Sequence, residues 1–145
     1  MFRFFHFAVR HPLYPYVRAT PAQSSWGQPM AVSGTFQELT FAALRCVRPR
    51  LAVYVFQNED EPLLTDAQRD ELWEKFRVPV YVLLLDRNRR VCGYECEAHQ
   101  GLHLPAHASQ RGISSPIETA PCGCGRPGPR ALYPSPPRRH LPVAG

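Results

Sequence analysis

The sequence predicts an α/β fold, a small βαβ unit with an added hairpin strand, and three observations predict it. Two short apolar, β-rich runs at residues 51–56 and 79–85 bracket a stretch of helical periodicity that opens on a capping signature. A polar turn then leads into a third run, 91–96, which ends on a cysteine. Two chelating pairs follow, Cys96-x-x-His99 and Cys122-x-Cys124, at the spacing of short metal-binding knuckles. The expected organisation is an irregular N-terminal segment (1–34), an α/β domain with a zinc-knuckle-like loop (35–126) and a disordered Pro/Arg-rich tail (127–145).

Residues 12–34 hold Pro12, Pro15, Pro21, Gly27, Pro29 and Gly34 with no sustained period, which predicts irregular backbone. At Thr35-Phe-Gln-Glu38 the pattern changes to a capping box, and Phe36, Leu39, Thr40, Ala43 and Val47 recur at helical spacing, predicting a helix over 36–47 that stops before Pro49. Residues 51–56 read as a strand buried on both faces. Thr65-Asp-Ala-Gln68 opens a second helix, with Leu72, Trp73 and Phe76 on one side, and Pro79 ends it near Arg77. With the run at 79–85 this makes a parallel βαβ unit. The turn at 86–90 returns the chain as a hairpin that delivers Cys96 to the sheet edge.

Cys96, His99, Cys122 and Cys124 form a Cys3His set of the kind Zn²⁺ takes in a closed tetrahedral site. The same residues are also compatible with an ordinary strand end and a Pro/Gly-rich loop. Cys92 shares strand parity with Cys96 and is a reserve ligand. His103, in the Leu102-His-Leu104 alternation, reads as structural, and Cys46 as a small core residue closing a helix. As catalytic candidates, Glu95 and Glu97 fall on one face of the strand with His99 nearby, although solvated strand charge explains them as well.

The 145 residues suit one domain, and the formal charge of +5 sits at the two ends: residues 1–37 and 119–145 carry arginines and no acid. No interleaving of arginine with aromatic residues appears inside the core, which speaks against a nucleic-acid platform. Five cysteines, an odd count with no secretory signal, argue against a disulfide framework and for a cytoplasmic protein. The opening residues 1–10 are too broken by Arg3, His6 and Arg10 to span a membrane. Their arginine content fits a transit peptide as well as an amphipathic edge segment. In the tail, Pro134-Ser-Pro-Pro137 has the PxxP form that a partner protein with an SH3-type groove could engage.

Over residues 36–130 the chain resembles the phenylacetate-CoA ligase family of adenylate-forming enzymes. The landmarks are Glu61-Pro-Leu, Val78-Pro-Val-Tyr81, Tyr94-Glu-Cys-Glu-Ala-His-Gln-Gly-Leu-His-Leu104 and Ala120-Pro-Cys-Gly-Cys-Gly-Arg126 with Pro129-Arg130, in that order. The resemblance implies a structural zinc on Cys96, His99, Cys122 and Cys124. The departures are as informative. The family's Gly-Gly-Glu-Pro loop is Glu59-Asp-Glu-Pro62 here, its Tyr-Gly-x-Thr-Glu signature is replaced at Leu83-Leu-Leu-Asp86, and no phosphate loop or C-terminal lysine domain is found; the lone lysine is Lys75. The expected function is therefore a non-catalytic, zinc-stabilised accessory or interaction module derived from such a ligase. The alternative is a split subunit of an AMP-forming acyl-activating ligase that works only with a partner chain.

Overall fold

Alternation along the two central strands divides their side chains between two apolar faces. The structure, a computed structural model, describes residues 9–59, 61–105 and 117–132. Val53 and Val55 of β3 (Ala52–Asn58) and Val80, Val82 and Leu84 of β4 (Val80–Leu85) pack with Leu39 and Ala42 of α1 (Phe36–Leu44) and Leu72 and Phe76 of α2 (Asp66–Phe76). Tyr54 and Leu83, one residue out of phase, belong to a second cluster with Val17, Ala19 and Ala31. The two central strands are thus covered on both sides, as parallel strands in a βαβ unit require. β3 and β4 pair in parallel, from Val53 opposite Val80 to Asn58 opposite Leu85.

Both capping boxes form. The Thr35 and Thr65 hydroxyls accept from the backbone N–H of Glu38 and Gln68, whose side chains accept from the Thr35 and Thr65 N–H in return. Such a cap contributes about 1 kcal/mol. The first helix ends at Leu44, short of the expected residue 47, because Cys46 takes a left-handed φ of 62° and Val47 N–H turns back onto the Ala42 carbonyl. That turn leaves Cys46 exposed, not in the core as expected. In the second helix Leu72 and Phe76 are buried, whereas Trp73 stays exposed.

The sheet is larger than the sequence pattern suggests. Its eight strands among the described residues run β1-β2-β3-β4-β5-β6-β8-β7, with β1 (Ala19–Pro21), β2 (Ala31–Gly34), β5 (Val91–Tyr94), β6 (Leu102–His103), β7 (Ile117–Glu118) and β8 (Arg130–Ala131). β1 to β4 are parallel and the remaining pairs antiparallel. Two expectations are corrected. Part of the segment at 12–34 is regular: β1 pairs with β2 and β2 with β3, and Pro21 sits on the edge strand of the described sheet, where proline is tolerated. Part of the tail expected from residue 127 is ordered too, since Arg130 and Ala131 pair with both β6 and β7. Strands of two to four residues such as Ala-Thr-Pro, Ala-Val-Ser-Gly and Arg-Ala are too short to carry a hydrophobic period, so their partners define them. The expectations for residues 1–8, Asp60, 106–116 and 133–145 fall outside the described residues.

Among the described residues no helix covers the second face near β4 and β5; the segment before β1 crosses it instead. His11 is fully buried there, its ring 4.6 Å from that of Tyr14, 5.5 Å from those of Tyr54 and Tyr81 and 5.4 Å from that of Tyr94. Its Nδ1 accepts from Leu13 N–H at 3.1 Å, which leaves Nε2 as the donor to the Glu95 carbonyl at 2.6 Å. Both contacts together require the neutral ring. Burial accordingly lowers its pKa from 6.5 to about 4, against the Glu95 carbonyl, which raises it.

The unfolded chain therefore takes up a proton at His11 near pH 6.5 that the folded chain refuses until about pH 4. This contribution is present above pH 6.5 and is lost as the pH falls toward 4. At pH 5 the loss from this one residue should be about 2 kcal/mol relative to pH 8. Urea unfolding of wild type and His11→Gln, which keeps a donor and an acceptor, should show the acid-dependent slope reduced by that amount in the variant. Parallel slopes in the two proteins would remove His11 as the cause.

Candidate metal centre

A hairpin end and a glycine-rich turn build this site. β5 stops at Tyr94, and the chain turns at 96–99 with His99 N–H on the Cys96 carbonyl at 3.0 Å and Ala98 N–H on Cys96 Sγ at 3.4 Å. The second turn closes with Gly125 N–H on the Cys122 carbonyl at 2.8 Å, and the left-handed backbone of Gly125 favours glycine there. Gly125 has φ +83°, and a Cβ on Gly123 would lie 2.5 Å from the Gln100 Oε1 that accepts the Gly123 N–H. The side chain of Gln100 thus locks one knuckle onto the other.

Three of the four residues expected as ligands converge, and the histidine that joins them is His103 and not His99. Cys96, Cys122, Cys124 and His103 bring their donor atoms within 4.8 Å of one another. Cys96 Sγ and Cys122 Sγ are 3.6 Å apart, as are Cys124 Sγ and His103 Nε2. Donors around a tetrahedral zinc are separated by about 3.5–3.8 Å, given Zn–S of about 2.3 Å and Zn–N of about 2.0 Å. The donor set and its spacing fit that ion.

His99 lies outside the cluster. Its left-handed φ of 50° turns the ring onto Tyr81, stacked at 5.4 Å, with Nδ1 3.4 Å from Glu95 Oε2. His103 takes the place expected of it because β6 returns antiparallel to β5, setting His103 directly opposite Tyr94, two residues before Cys96, with their rings stacked at 5.4 Å. The signal was the histidine on the returning strand beside the chelating turn. Its polar–apolar alternation was read as structural, whereas Leu102 joins the core and His103 joins the cluster. Cys92, the reserve ligand, is buried in the hydrophobic core away from the cluster; burial pushes its thiol up to about 11. Strand parity does not reach from Cys92 to Cys96 because the strand ends between them.

The titration of the site's groups follows from crowding. Burial, with the neighbouring sulfurs of Cys122 and Cys124, pushes the Cys96 thiol up to about 12. For Cys124 burial acts upward, but the Arg126 backbone N–H together with bonds from Cys122, the Arg126 guanidinium and Cys96 carries it below the ordinary thiol value. Burial, then Arg130 and Arg126, lowers His103, so its ring stays neutral. A neutral imidazole is the form that ligates a metal.

The expected carboxylate pair does not form. Glu95 is fully buried, Oε1 accepting from Val82 N–H at 2.6 Å and from Arg69 at 3.0 Å. Glu97 is exposed, accepting from the Tyr14 hydroxyl at 2.6 Å and from Arg126 at 2.9 Å on each oxygen. Those two donors hold its carboxyl down at about 2. The two acids separate because the strand that would have aligned them ends at Tyr94. Beside Arg69 and His99 lies a cleft of about 360 Å³ with Asp70, Trp73, Pro79 and Val80. No helix of the described residues is long and apolar enough to cross a membrane. No protein-family model and no curated protein matches this chain.

Proposed function

We propose that the chain is a non-catalytic α/β module whose hairpin end is closed by one structural zinc on Cys96, His103, Cys122 and Cys124, serving an accessory or interaction role. The observation that carries this reading is the cluster itself: three sulfurs and one imidazole nitrogen within 4.8 Å, three of the four residues buried. Zinc bound there would supply a crosslink between segments joined otherwise by two-residue strands. Four protein ligands leave no coordination position for water, so the centre suits a structural role and not a hydrolytic one.

The sequence resemblance to phenylacetate-CoA ligases supports an origin among adenylate-forming enzymes, and the acidic residues Glu59–Glu61 in place of that family's glycine loop support loss of that chemistry. A ligase of this type works by positioning phosphates and stabilising the charge that develops as pyrophosphate leaves. The chain by itself is therefore expected to show no ATP binding by calorimetry and no pyrophosphate release with aryl or fatty acids. ATP affinity of the isolated chain would overturn the accessory reading.

Protein purified without chelator should contain about one zinc per chain by elemental analysis. His103→Ala should release that zinc, and His99→Ala should retain it; the reverse result would restore the ligand set expected from the sequence. Metal affinity for ligands assembled by folding is part of the folding free energy. In Cys122→Ser, hydrogen exchange should therefore rise at 95–104 and 117–132, while β3, α2 and β4 keep their protection. Uniform exchange across both regions would show that the centre does not hold the hairpin end.

A further inference from the structure

Arg130 is a buried cation with no acid beside it among the described residues. It is 6% exposed, Nη1 donates to the Gln100 carbonyl at 2.6 Å, Nη2 to the Ala120 carbonyl at 3.3 Å, and Nε has no hydrogen-bond partner. Among the described residues no carboxylate is within ion-pair distance of it. Glu118, its register partner on β7, turns Oε1 onto the Ala120 N–H at 2.8 Å instead. An unpaired charge in the interior is strongly unfavourable, so a compensating negative charge is required nearby.

The register supplies one. On its other side Arg130 is paired with His103, and side chains directly opposite on neighbouring strands share a face about 5 Å apart. Three thiolates and a neutral imidazole around a divalent cation leave a centre with one net negative charge. Arg126, the other cation at the site, already has the Glu97 carboxylate. We propose that Arg130 is the counter-cation of the metal centre, a positioning residue that stabilises its thiolate form and holds the second knuckle in place. This rests on the zinc reading above. The geometric part runs through Gln100, whose carbonyl accepts from Arg130 and whose side chain accepts from Gly123 N–H between the two cysteines of that knuckle. Charge and position are thereby set by one guanidinium.

The test is a mutant cycle on zinc affinity, measured by competition with a chromophoric chelator. Arg130→Met should weaken binding about 10- to 100-fold, the usual effect of removing an outer partner of a metal site, and Arg130→Lys should recover most of it. In a Cys124→His background the zinc centre is neutral, and there the effect of Arg130→Met should fall below about threefold. Cobalt substitution adds a spectroscopic reading: the thiolate-to-cobalt charge-transfer band should shift in Arg130→Met and not in Arg130→Lys. Equal losses in both backgrounds would overturn the counter-cation role, because a purely structural clamp is indifferent to the charge of the centre. Should Arg130→Met fail to fold, Arg130→Gln in the same two backgrounds makes the same decision. A wild type that binds no zinc overturns the zinc reading; a wild type that binds it with unchanged affinity in Arg130→Met overturns only the role of Arg130.

Discussion

The carboxylate of Glu95 joins the two halves of the molecule. It is fully buried and sits at the end of β5, where it takes the Val82 N–H of β4 and the Arg69 guanidinium of α2, with His99 of the hairpin turn facing its other oxygen. Its backbone carbonyl accepts from His11 on the opposite face of the sheet. Removing one partner of such a buried charge costs about 3–5 kcal/mol, because the other is left in a low dielectric. The hairpin that carries the Cys/His cluster is therefore fixed to the βαβ unit by a charge as well as by strand pairing, and Cys96, the next residue, inherits its position from that anchor.

On the far side of Cys96 the forces change in kind. The βαβ unit has valines and leucines on both strand faces and two capped helices, so its own apolar burial accounts for its order. The hairpin end has two-residue strands, glycine turns and a concentration of Cys, His, Arg and Glu, and among its described residues Leu102, Leu104 and Ala131 join the main core. Short strands of this sort are marginal in water unless something else fixes them. Here the fixing groups are polar: Gln100 on Gly123, Arg130 on the Gln100 and Ala120 carbonyls, and Arg126 bridging Glu97 and Cys124. Glu97 extends this network to Tyr14, so the segment crossing the second face is tied to the same end of the sheet.

What the sequence by itself determined was the hydrophobic half and three of the four residues of the Cys/His cluster. Two apolar runs, two capping boxes and Pro79 located β3, α2 and β4 to within a residue or two, because the period of burial and the chemistry of helix ends are local properties. Cys96, Cys122 and Cys124 were identifiable from local spacing, Cys96 beside a histidine three residues on and Cys122 beside Cys124 in a glycine-rich turn. Tertiary structure alone decided the rest. Whether His99 or His103 completes the cluster depends on a left-handed residue at the turn and on the register of a returning strand, and neither is encoded in residue spacing. The strands β1, β2 and β8 likewise exist through their neighbours: short runs of small or charged residues have no periodicity of their own, and they become strands only where neighbouring segments supply their partners.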